Sequence, residues 1–286
     1  MKTYLDIVNR ILMYGEEKIG RNGSTTSITG ETFRHDMRKG FPILTIREMS
    51  LQNAITELRF FIQGFTHKSW LKERGNKFWN KWCNRQSEEY AHNIQYLTPS
   101  KASLITDDLG PIYGSQWRSF GGIGGIDQLK GVIETLKVAP LSRRMLVSAW
   151  NPNEIESMAL PPCHDSFQFI SNGLDLDLIW RQRSCDVAVG LPYDILLYGL
   201  LLSLVSRHVG MVPRYLIGQL GDTHIYDVNL AQLESVAQRR PNILPELIFG
   251  KLEKDLFAWV ESDLCAEDWS LLNYNPHPKS VFQVVE

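Results

Sequence analysis

One cysteine, Cys163, lies in a sequence context that could make its thiol a nucleophile. It follows two prolines in Leu160-Pro161-Pro162-Cys163-His164, and an imidazole comes directly after it. The prolines restrict the backbone before the thiol, and nearby positive charge would favour the reactive thiolate. A small buried apolar position is the alternative for any cysteine, and these residues alone leave both interpretations open.

Arg183 is a candidate source of that charge. The segments Phe167 to Ile170 and Leu174 to Trp180 flank Asn172-Gly173, a strong signal for a tight β-hairpin. Pairing through this turn would bring Arg183 close to residues 162 and 163. The sequence therefore predicts a thiol and a guanidinium at one end of the hairpin.

Other polar residues could hold an anion or hydroxyl groups. Arg21 lies in a turn, Arg143 and Arg144 precede an apolar strand, and His224 and Tyr226 are two apart in an extended segment. Side chains two apart share a strand face, so His224 and Tyr226 could act together. Adjacent arginines point to opposite faces, so both cannot serve one ligand in the usual way; a solvated pair is the alternative.

Composition limits the class of protein. The chain has 286 residues, 43% hydrophobic and 22% charged, with a net charge of −2, which gives no global basic field for nucleic acid or an anionic membrane. Its four cysteines form no CxxC pair, so neither a zinc site nor a disulfide framework is indicated. The start lacks an apolar signal core, and no apolar stretch reaches the roughly 20 residues of a membrane span. We expect a cytoplasmic protein.

Periodicity predicts a single α+β domain over residues 1–286, built on a large sheet. Residues 84–107 are polar and weakly patterned, which is typical of a variable surface insertion. The remaining predicted elements are helices at 4–19, Leu51 to Gln63, 66–82 and Leu191 to His208, short strands within 25–46, and strands near 214–218 and 244–249.

The chain resembles the thymidylate synthase family over nearly its whole length. The resemblance implies a thymidylate synthase-like fold, with a large mixed sheet covered by helices and one sheet face forming a homodimer interface. The matching segments are Gly40-Phe41-Pro42, Glu57 to Gly64, Gly110 to Gly114, Ser142 to Asn151, Pro162-Cys163-His164, Gln182 to Asp186, Gly190-Leu191-Pro192, Gly221 to Tyr226 and Pro276-His277-Pro278.

The resemblance also implies catalytic roles. Cys163, with Arg183 beside it, would add to C6 of a pyrimidine nucleotide and make C5 nucleophilic towards 5,10-methylenetetrahydrofolate. Glu57 would organise water and proton transfers, and Tyr113 would help to remove the C5 proton. No metal is implied, and no membrane or DNA is required.

Binding residues follow from the same resemblance. Arg143 and Arg144 would reach the phosphate from the second subunit of a homodimer, which resolves the problem of adjacent arginines. The implied nucleotide-binding set is Arg21, Arg143, Arg144, Gln182, Ser184, Asp186, Asp194, His224 and Tyr226. The implied folate-binding set is Trp79, Leu160, Asp186 and Arg47.

Asp194 departs from the family pattern. Members that act on uracil carry Asn after Gly-Leu-Pro-Phe, whereas this chain reads Gly190-Leu191-Pro192-Tyr193-Asp194. Uracil presents an N3–H donor and an O4 acceptor, and cytosine reverses both, which suits a carboxyl group. The departure favours dCMP over dUMP; tolerance of Asp in a dUMP enzyme, and reading of the base by another residue, are the alternatives. Ser184 and the His224/Tyr226 pair favour dCMP over CMP.

The product is methyl or hydroxymethyl according to whether hydride or water attacks the transferred carbon. Trp79 and Leu160 match shielding positions, which favours methyl. Glu48, Ser50 and the final Glu286 depart from the pattern and could admit water, and relatives with Asp at the base-reading position are mostly hydroxymethylases. We therefore predict 5-hydroxymethyl-dCMP ahead of 5-methyl-dCMP, in the service of DNA modification, as in a virus. A non-catalytic nucleotide- or RNA-binding paralogue is the alternative from another class.

Overall fold

A six-stranded mixed sheet forms the centre of the computed structural model, which describes residues 1–250, 255–262 and 269–285. Its spatial order is β1-β2-β6-β5-β4-β3, and every neighbouring pair is antiparallel except the parallel pair β5–β6. The predicted α+β class and large mixed sheet are confirmed. The strands are β1 (Glu16–Gly20), β2 (Gly23–Asp36), β3 (Leu146–Ser148), β4 (His164–Ser171), β5 (Asp175–Asp186) and β6 (Val212–Tyr226), with a separate pair β7 (Glu246–Phe249) and β8 (Trp269–Leu272).

The longest helix, α8, spans Gly190–Val209, and three of the other helices pack against it. Most residues of α8 are buried, as its nearly continuous apolar sequence predicts, and it packs against β5 and β6. The predicted helix at Leu191 to His208 is confirmed. The other helices are α1 (Lys2–Tyr14), α2 (Leu51–Ile62), α3 (Ser69–Glu73), α4 (Glu88–Asn93), α5 (Pro99–Ile105), α6 (Tyr113–Arg118), α7 (Gln128–Val138), α9 (Asp227–Ala237) and α10 (Leu256–Glu261). Of these, α2, α7 and α10 pack against α8.

The first predicted helix is too long, because α1 ends at Tyr14. A Cβ atom on Gly15 would lie 2.4 Å from the carbonyl oxygen of Ile11, so the chain turns at a residue without a side chain. Residues 16–20 then form β1, which pairs with β2 across the turn at residues 21–22. The short strands predicted within 25–46 are instead one long strand, β2, followed by a short 3₁₀ turn.

The predicted helix over 66–82 is wrong beyond its first turns. Only α3 is helical, and Gly75, at φ +73°, ends it in a left-handed conformation. Asn76 then holds an irregular loop: its side chain donates to the Asn53 carbonyl at 2.9 Å and accepts from the Phe78 N–H at 2.9 Å. The aromatic spacing that resembled a helix face belongs to this loop, which carries Trp79.

Residues 84–107 contain α4 and α5, which close over a small apolar cluster of Cys83, Tyr90 and Ala102, with Leu97 packed against it. Their role as a variable surface insertion stays a prediction. A fully buried lysine, Lys68, ties this region to the loop after α3. Its ammonium donates to the carbonyl oxygens of Asn80, Trp82 and Ser103 at 3.1, 2.6 and 3.0 Å.

Replacing Lys68 by methionine is expected to destabilise the protein by about 2–4 kcal/mol, because three buried carbonyls lose their donor together. Methionine fills a similar volume, so packing changes little. Thermal unfolding measures the effect. Lys101→Met, the same substitution at an exposed position of α5, is the matched control. Equal melting temperatures for the two variants would contradict the role assigned to Lys68.

The outward face of the sheet carries apolar side chains. Leu146, Ile179 and Ile217 lie in one row across it through the register of β3, β4, β5 and β6. Leu146 and Ile170 are 52% and 40% exposed, whereas adjacent residues that point to the other face of the sheet, such as Val147, are buried. Exposed apolar residues in one sheet face are typical of an interaction surface.

Among the described residues, no helix has both the length and the apolar character needed to cross a membrane.

Candidate active site

Cys163 is held at the start of β4 by hydrogen bonds from both sides. The Arg183 N–H donates to the Cys163 carbonyl at 2.8 Å, and the Cys163 N–H donates to the Tyr113 hydroxyl at 2.8 Å. The guanidinium of Arg183 donates to the carbonyls of Pro162 and Pro161 at 2.8 and 2.9 Å. The hairpin prediction is confirmed, since it placed Arg183 beside residues 162 and 163.

The thiol of Cys163 is protonated more strongly than the sequence argument implied. Burial raises the pKa of Cys163, and the opposing effect of the Arg183 guanidinium does not reverse the shift. Loss of solvation costs the thiolate more than one neighbouring cation returns. In the isolated chain the thiol is therefore protonated, and an attack on substrate requires a proton acceptor or added positive charge.

A stack of rings lies behind the thiol. His164 stacks on Tyr113 with ring centroids 4.2 Å apart, and its Nδ1 lies 2.7 Å from the Tyr198 hydroxyl. Burial lowers the pKa of His164 to about 3, so the imidazole is neutral. Burial also raises the pKa of Tyr113 well above its usual value. The ring of His164 thus supports Tyr113 without adding charge.

Glu57 projects from α2 towards the loop after α3. Its Oε1 accepts from the Trp79 indole N–H at 2.8 Å, and burial raises the pKa of this carboxyl group to about 7. A carboxyl group with this pKa can give or take a proton near neutrality, which suits the predicted role in proton transfer. Two residues predicted separately from the sequence, Glu57 and Trp79, are thereby in direct contact.

Four predicted nucleotide ligands and the predicted catalytic residue Arg183 line one cavity of about 380 Å³ at the ends of β2, β5 and β6. β5 and β6 run parallel with Ser184 opposite Asp222 and Asp186 opposite His224, so polar residues from both strands meet at one edge. These lining residues are Arg21, Arg183, Ser184, His224 and Tyr226.

A second cavity, of about 560 Å³, shares Arg21 and Asn22 with the first. Trp82, Cys83 and Leu160 give it an apolar wall, and Arg85 adds a basic side chain. Leu160, predicted as a folate contact, therefore lines this larger cavity.

Asp194, on the first turn of α8, is 15% exposed. Its Oδ2 accepts from the Gln182 side-chain amide at 2.9 Å, and its Oδ1 lies 3.7 Å from Nε2 of His164. Burial raises the pKa of Asp194 to about 7, and the hydrogen bond from Gln182 opposes the shift. A carboxyl group beside a neutral imidazole is therefore partly protonated at neutral pH.

Asp194→Asn is expected to stabilise the unliganded protein, by an amount that grows with pH. Because the folded-state pKa is raised above the ordinary value of about 3.9, the stabilisation from protonation is present at low pH and lost as pH rises to about 7. Asparagine keeps an acceptor for Gln182 and carries no charge. We expect a gain of about 4 kcal/mol at pH 8 and about 1 kcal/mol at pH 4.5, from thermal melts of both proteins. A difference that does not change with pH would contradict the buried charge.

Asp186 and Arg47 lie beside the N-terminus of α8. Oδ1 of Asp186 accepts the N–H groups of Ala188 and Val189 at 2.9 and 3.3 Å and so holds the turn that leads into the helix. Arg47 is buried, donates to the Ala188 carbonyl at 2.6 Å and lies 4.4 Å from the ring of Phe282. Its guanidinium therefore braces the C-terminal segment, and its predicted contact with the folate stays a prediction.

The two adjacent arginines lie apart from this cluster. Arg143 and Arg144 are exposed in the segment before β3, and neither is among the described residues that line the two cavities. Their predicted contribution to a neighbouring subunit stays a prediction.

Sequence reasoning missed several supporting residues. Oδ1 of Asp222 lies within hydrogen-bond distance of Nδ1 of His224, at 3.1 Å. Asp222 precedes His224 by two residues and shares its strand face, so the sequence could have indicated this contact. Tyr198 and Trp180 contact His164 and Gln182 through hydrogen bonds, but both lie at positions with an apolar pattern, which does not indicate polar contacts.

The comparisons with known proteins agree with this geometry. A family model described as thymidylate synthase matches residues 2–286. A protein of Escherichia phage T5 described as a probable thymidylate synthase is 39% identical over 284 residues, which cover 97% of each chain. The chain belongs to the thymidylate synthase family. Members transfer a one-carbon unit to a pyrimidine nucleotide from methylenetetrahydrofolate and are homodimers.

Proposed function

We propose that this protein transfers a one-carbon unit from 5,10-methylenetetrahydrofolate to C5 of dCMP through a covalent bond between Cys163 and C6. The observation that carries the proposal is the aspartate at position 194, whose side chain is 15% exposed and whose carboxyl group is hydrogen-bonded to Gln182. We propose that this carboxyl group reads the base. Members that act on uracil carry Asn there. The nucleotide is held by the residues of the smaller cavity, in which arginine supplies paired donors for a phosphate.

The order of proton transfers follows from the groups around the thiol. The sulfur of Cys163 adds to C6 while its proton passes through water to a base, and C5 then attacks the one-carbon unit of the folate. The C5 proton is lost, tetrahydrofolate leaves, water adds to the exocyclic carbon, and the C6–S bond breaks to release the product. Tyr113, whose hydroxyl accepts from the Cys163 N–H, is the group that we propose assists loss of the C5 proton. Glu57, with a pKa of about 7, exchanges protons through water near the ring.

The base is discriminated by opposite hydrogen-bonding patterns. A carboxyl group at position 194 accepts from the cytosine amino group, and either it donates to N3 when neutral or N3 itself carries the proton. Uracil would place its O4 acceptor against a carboxyl oxygen that also accepts. An unmade buried hydrogen bond costs about 1–3 kcal/mol, and more where a charge is involved. This difference favours dCMP.

We propose 5-hydroxymethyl-dCMP as the product, ahead of 5-methyl-dCMP. Water must then reach the transferred carbon, past Trp79, which is 6% exposed. The C-terminal segment is fastened near α9 by two hydrogen bonds of 2.8 Å between Asn229 and Gln283, and this contact would control how much water enters. The setting we propose is a viral enzyme in a host cytoplasm, since the phage T5 protein is a relative.

We also propose a homodimer formed by the outward sheet face, with Arg143 and Arg144 donated to the partner's phosphate site. The exposed Leu146 and Ile170 support the face as an interface. The two arginines lie just before β3, at the edge of that same sheet, which supports their reach across it.

A second candidate function, methylation of dUMP to dTMP, is favoured by the description of the phage relative as a probable thymidylate synthase. The test incubates purified protein with methylenetetrahydrofolate and dCMP, dUMP or CMP and identifies the products by mass. We expect 5-hydroxymethyl-dCMP without formation of dihydrofolate. Turnover of dUMP in preference to dCMP would overturn the proposed substrate, and dihydrofolate formed with dCMP would show a methyl product. Absence of all turnover would favour a nucleotide- or RNA-binding protein.

A further inference from the structure

We propose that Trp180 is a positioning residue that determines base selectivity: its indole N–H fixes the side-chain amide of Gln182, and this amide fixes which oxygen of Asp194 can carry a proton. The inference rests on the proposed role of Asp194 in reading the base and deepens it. Trp180 itself lies in β5 and is fully buried.

The orientation of the Gln182 amide is set by three hydrogen bonds. Its Oε1 accepts from the Trp180 indole N–H at 3.1 Å, and its Nε2 donates to the Ser184 carbonyl at 3.1 Å and to Oδ2 of Asp194 at 2.9 Å. An indole N–H can only donate and a carbonyl oxygen can only accept. Exchanging the amide oxygen and nitrogen would therefore place donor against donor and acceptor against acceptor, so one orientation is allowed.

That orientation restricts the proton of Asp194. A neutral carboxyl group offers one donor and one acceptor, and moving its proton between the two oxygens reverses their order. Cytosine and uracil require opposite orders, so a carboxyl group with a mobile proton could match either base. The Gln182 donor at Oδ2 opposes a proton there and leaves Oδ1 as the protonated oxygen. The restriction matters near neutrality because the pKa of Asp194 is raised to about 7.

The indole is in turn held by close packing. Its ring stacks on Tyr198 with centroids 5.3 Å apart and planes 11° from parallel, and it contacts Phe33 at 5.7 Å. Opposite Trp180 in the β5–β6 register lies Gly218, where a Cβ atom would be 2.4 Å from the indole ring. The glycine makes room for the indole, which then has little freedom to turn its N–H away from Gln182.

The test measures kcat/KM for dCMP and for dUMP and compares their ratio between wild type and Trp180→Phe. Phenylalanine keeps an aromatic ring in the stack and removes only the donor and part of the ring. We expect the ratio to move towards unity by about tenfold, which corresponds to about 1.4 kcal/mol. The matched control is Phe33→Leu, which reduces one contact of the indole while the stack on Tyr198 and the close approach of Gly218 still hold its N–H in place. It is expected to lower stability without changing the ratio.

Gln182→Leu removes the amide itself and provides the measurement if Trp180→Phe does not fold. It is expected to shift the ratio at least as far. A ratio unchanged in Trp180→Phe would overturn the inference, because the indole N–H would then have no effect on selectivity. An equal shift in Phe33→Leu would also overturn it, because the effect would then be one of packing.

Failure of this inference is distinguishable from failure of the proposed substrate. If the wild type prefers dUMP, the proposed substrate is wrong. Loss of that preference in Trp180→Phe would still support the inference that Trp180, through Gln182, determines which oxygen of Asp194 carries the proton. If the wild type prefers dCMP and Trp180→Phe keeps the full preference, the substrate is right and the inference is wrong.

Discussion

Replacing Cys163 by alanine is expected to reduce turnover by on the order of 10⁴-fold or more while leaving nucleotide binding nearly unchanged. C5 of a pyrimidine becomes nucleophilic only when C6 is saturated. Cys163 is partly exposed beside Arg183, whereas Cys185, the other described thiol at this end of the hairpin, is fully buried. Cys163→Ser should also lose most activity, since a hydroxyl group is a much weaker nucleophile at neutral pH. Folate product formation and calorimetric binding of dCMP separate the two effects.

The matched control is Cys83→Ala, because Cys83 lines the neighbouring cavity and is buried in the small cluster of α4 and α5. It is expected to retain nearly full activity. Mass spectrometry of wild type quenched during turnover should reveal a nucleotide adduct that is missing in Cys163→Ala. Full activity of Cys163→Ser, or an adduct on another cysteine, would refute the covalent mechanism.

Asp194→Asn is expected to shift the kcat/KM ratio from dCMP towards dUMP by on the order of 10²–10³-fold. The amide offers an oxygen to the uracil N3–H and an NH₂ group to O4, and it opposes cytosine at both atoms. Both contacts become favourable for uracil and unfavourable for cytosine, so the effect exceeds that of a single hydrogen bond. Initial rates with each nucleotide at saturating folate measure it.

Asp222→Asn provides the comparison for this substitution. Asp222 lines the smaller cavity and contacts His224, whereas Asp194 contacts Gln182. Asp222→Asn should lower kcat/KM for both nucleotides by similar factors and leave their ratio intact. An unchanged ratio in Asp194→Asn would move recognition of the base to another residue.

The sequence predicted those parts of the molecule whose geometry is local. The Asn172-Gly173 turn determined the β4–β5 pairing, and pairing alone placed Arg183 beside Cys163. The continuous apolar run of α8 predicted a buried helix because no face of it could be left in water. Two-residue periodicity put His224 and Tyr226 together, and their rings are 5.1 Å apart.

The parts that failed depend on contacts distant in sequence. The loop carrying Trp79 is fixed by Asn76, Lys68 and Glu57, whose partners lie on other elements, so aromatic spacing alone resembled a helix. The pKa of Cys163 could not be predicted either. Proximity of Arg183 was inferred correctly, but the burial that outweighs it becomes visible only when the fold is complete.

The close approach of Trp180 to Gly218 also constrains how such a chain can change by single substitutions. A side chain at 218 and an indole at 180 exclude each other, since a Cβ atom on residue 218 would lie only 2.4 Å from the indole ring. An ancestor with a larger residue on β6 would have to lose it before gaining the indole, and would pass through a form with a cavity in its core. Such forms are less stable. The glycine at 218 must therefore arise before the indole at 180, and a return to a larger residue at 218 must pass through a similar destabilised form.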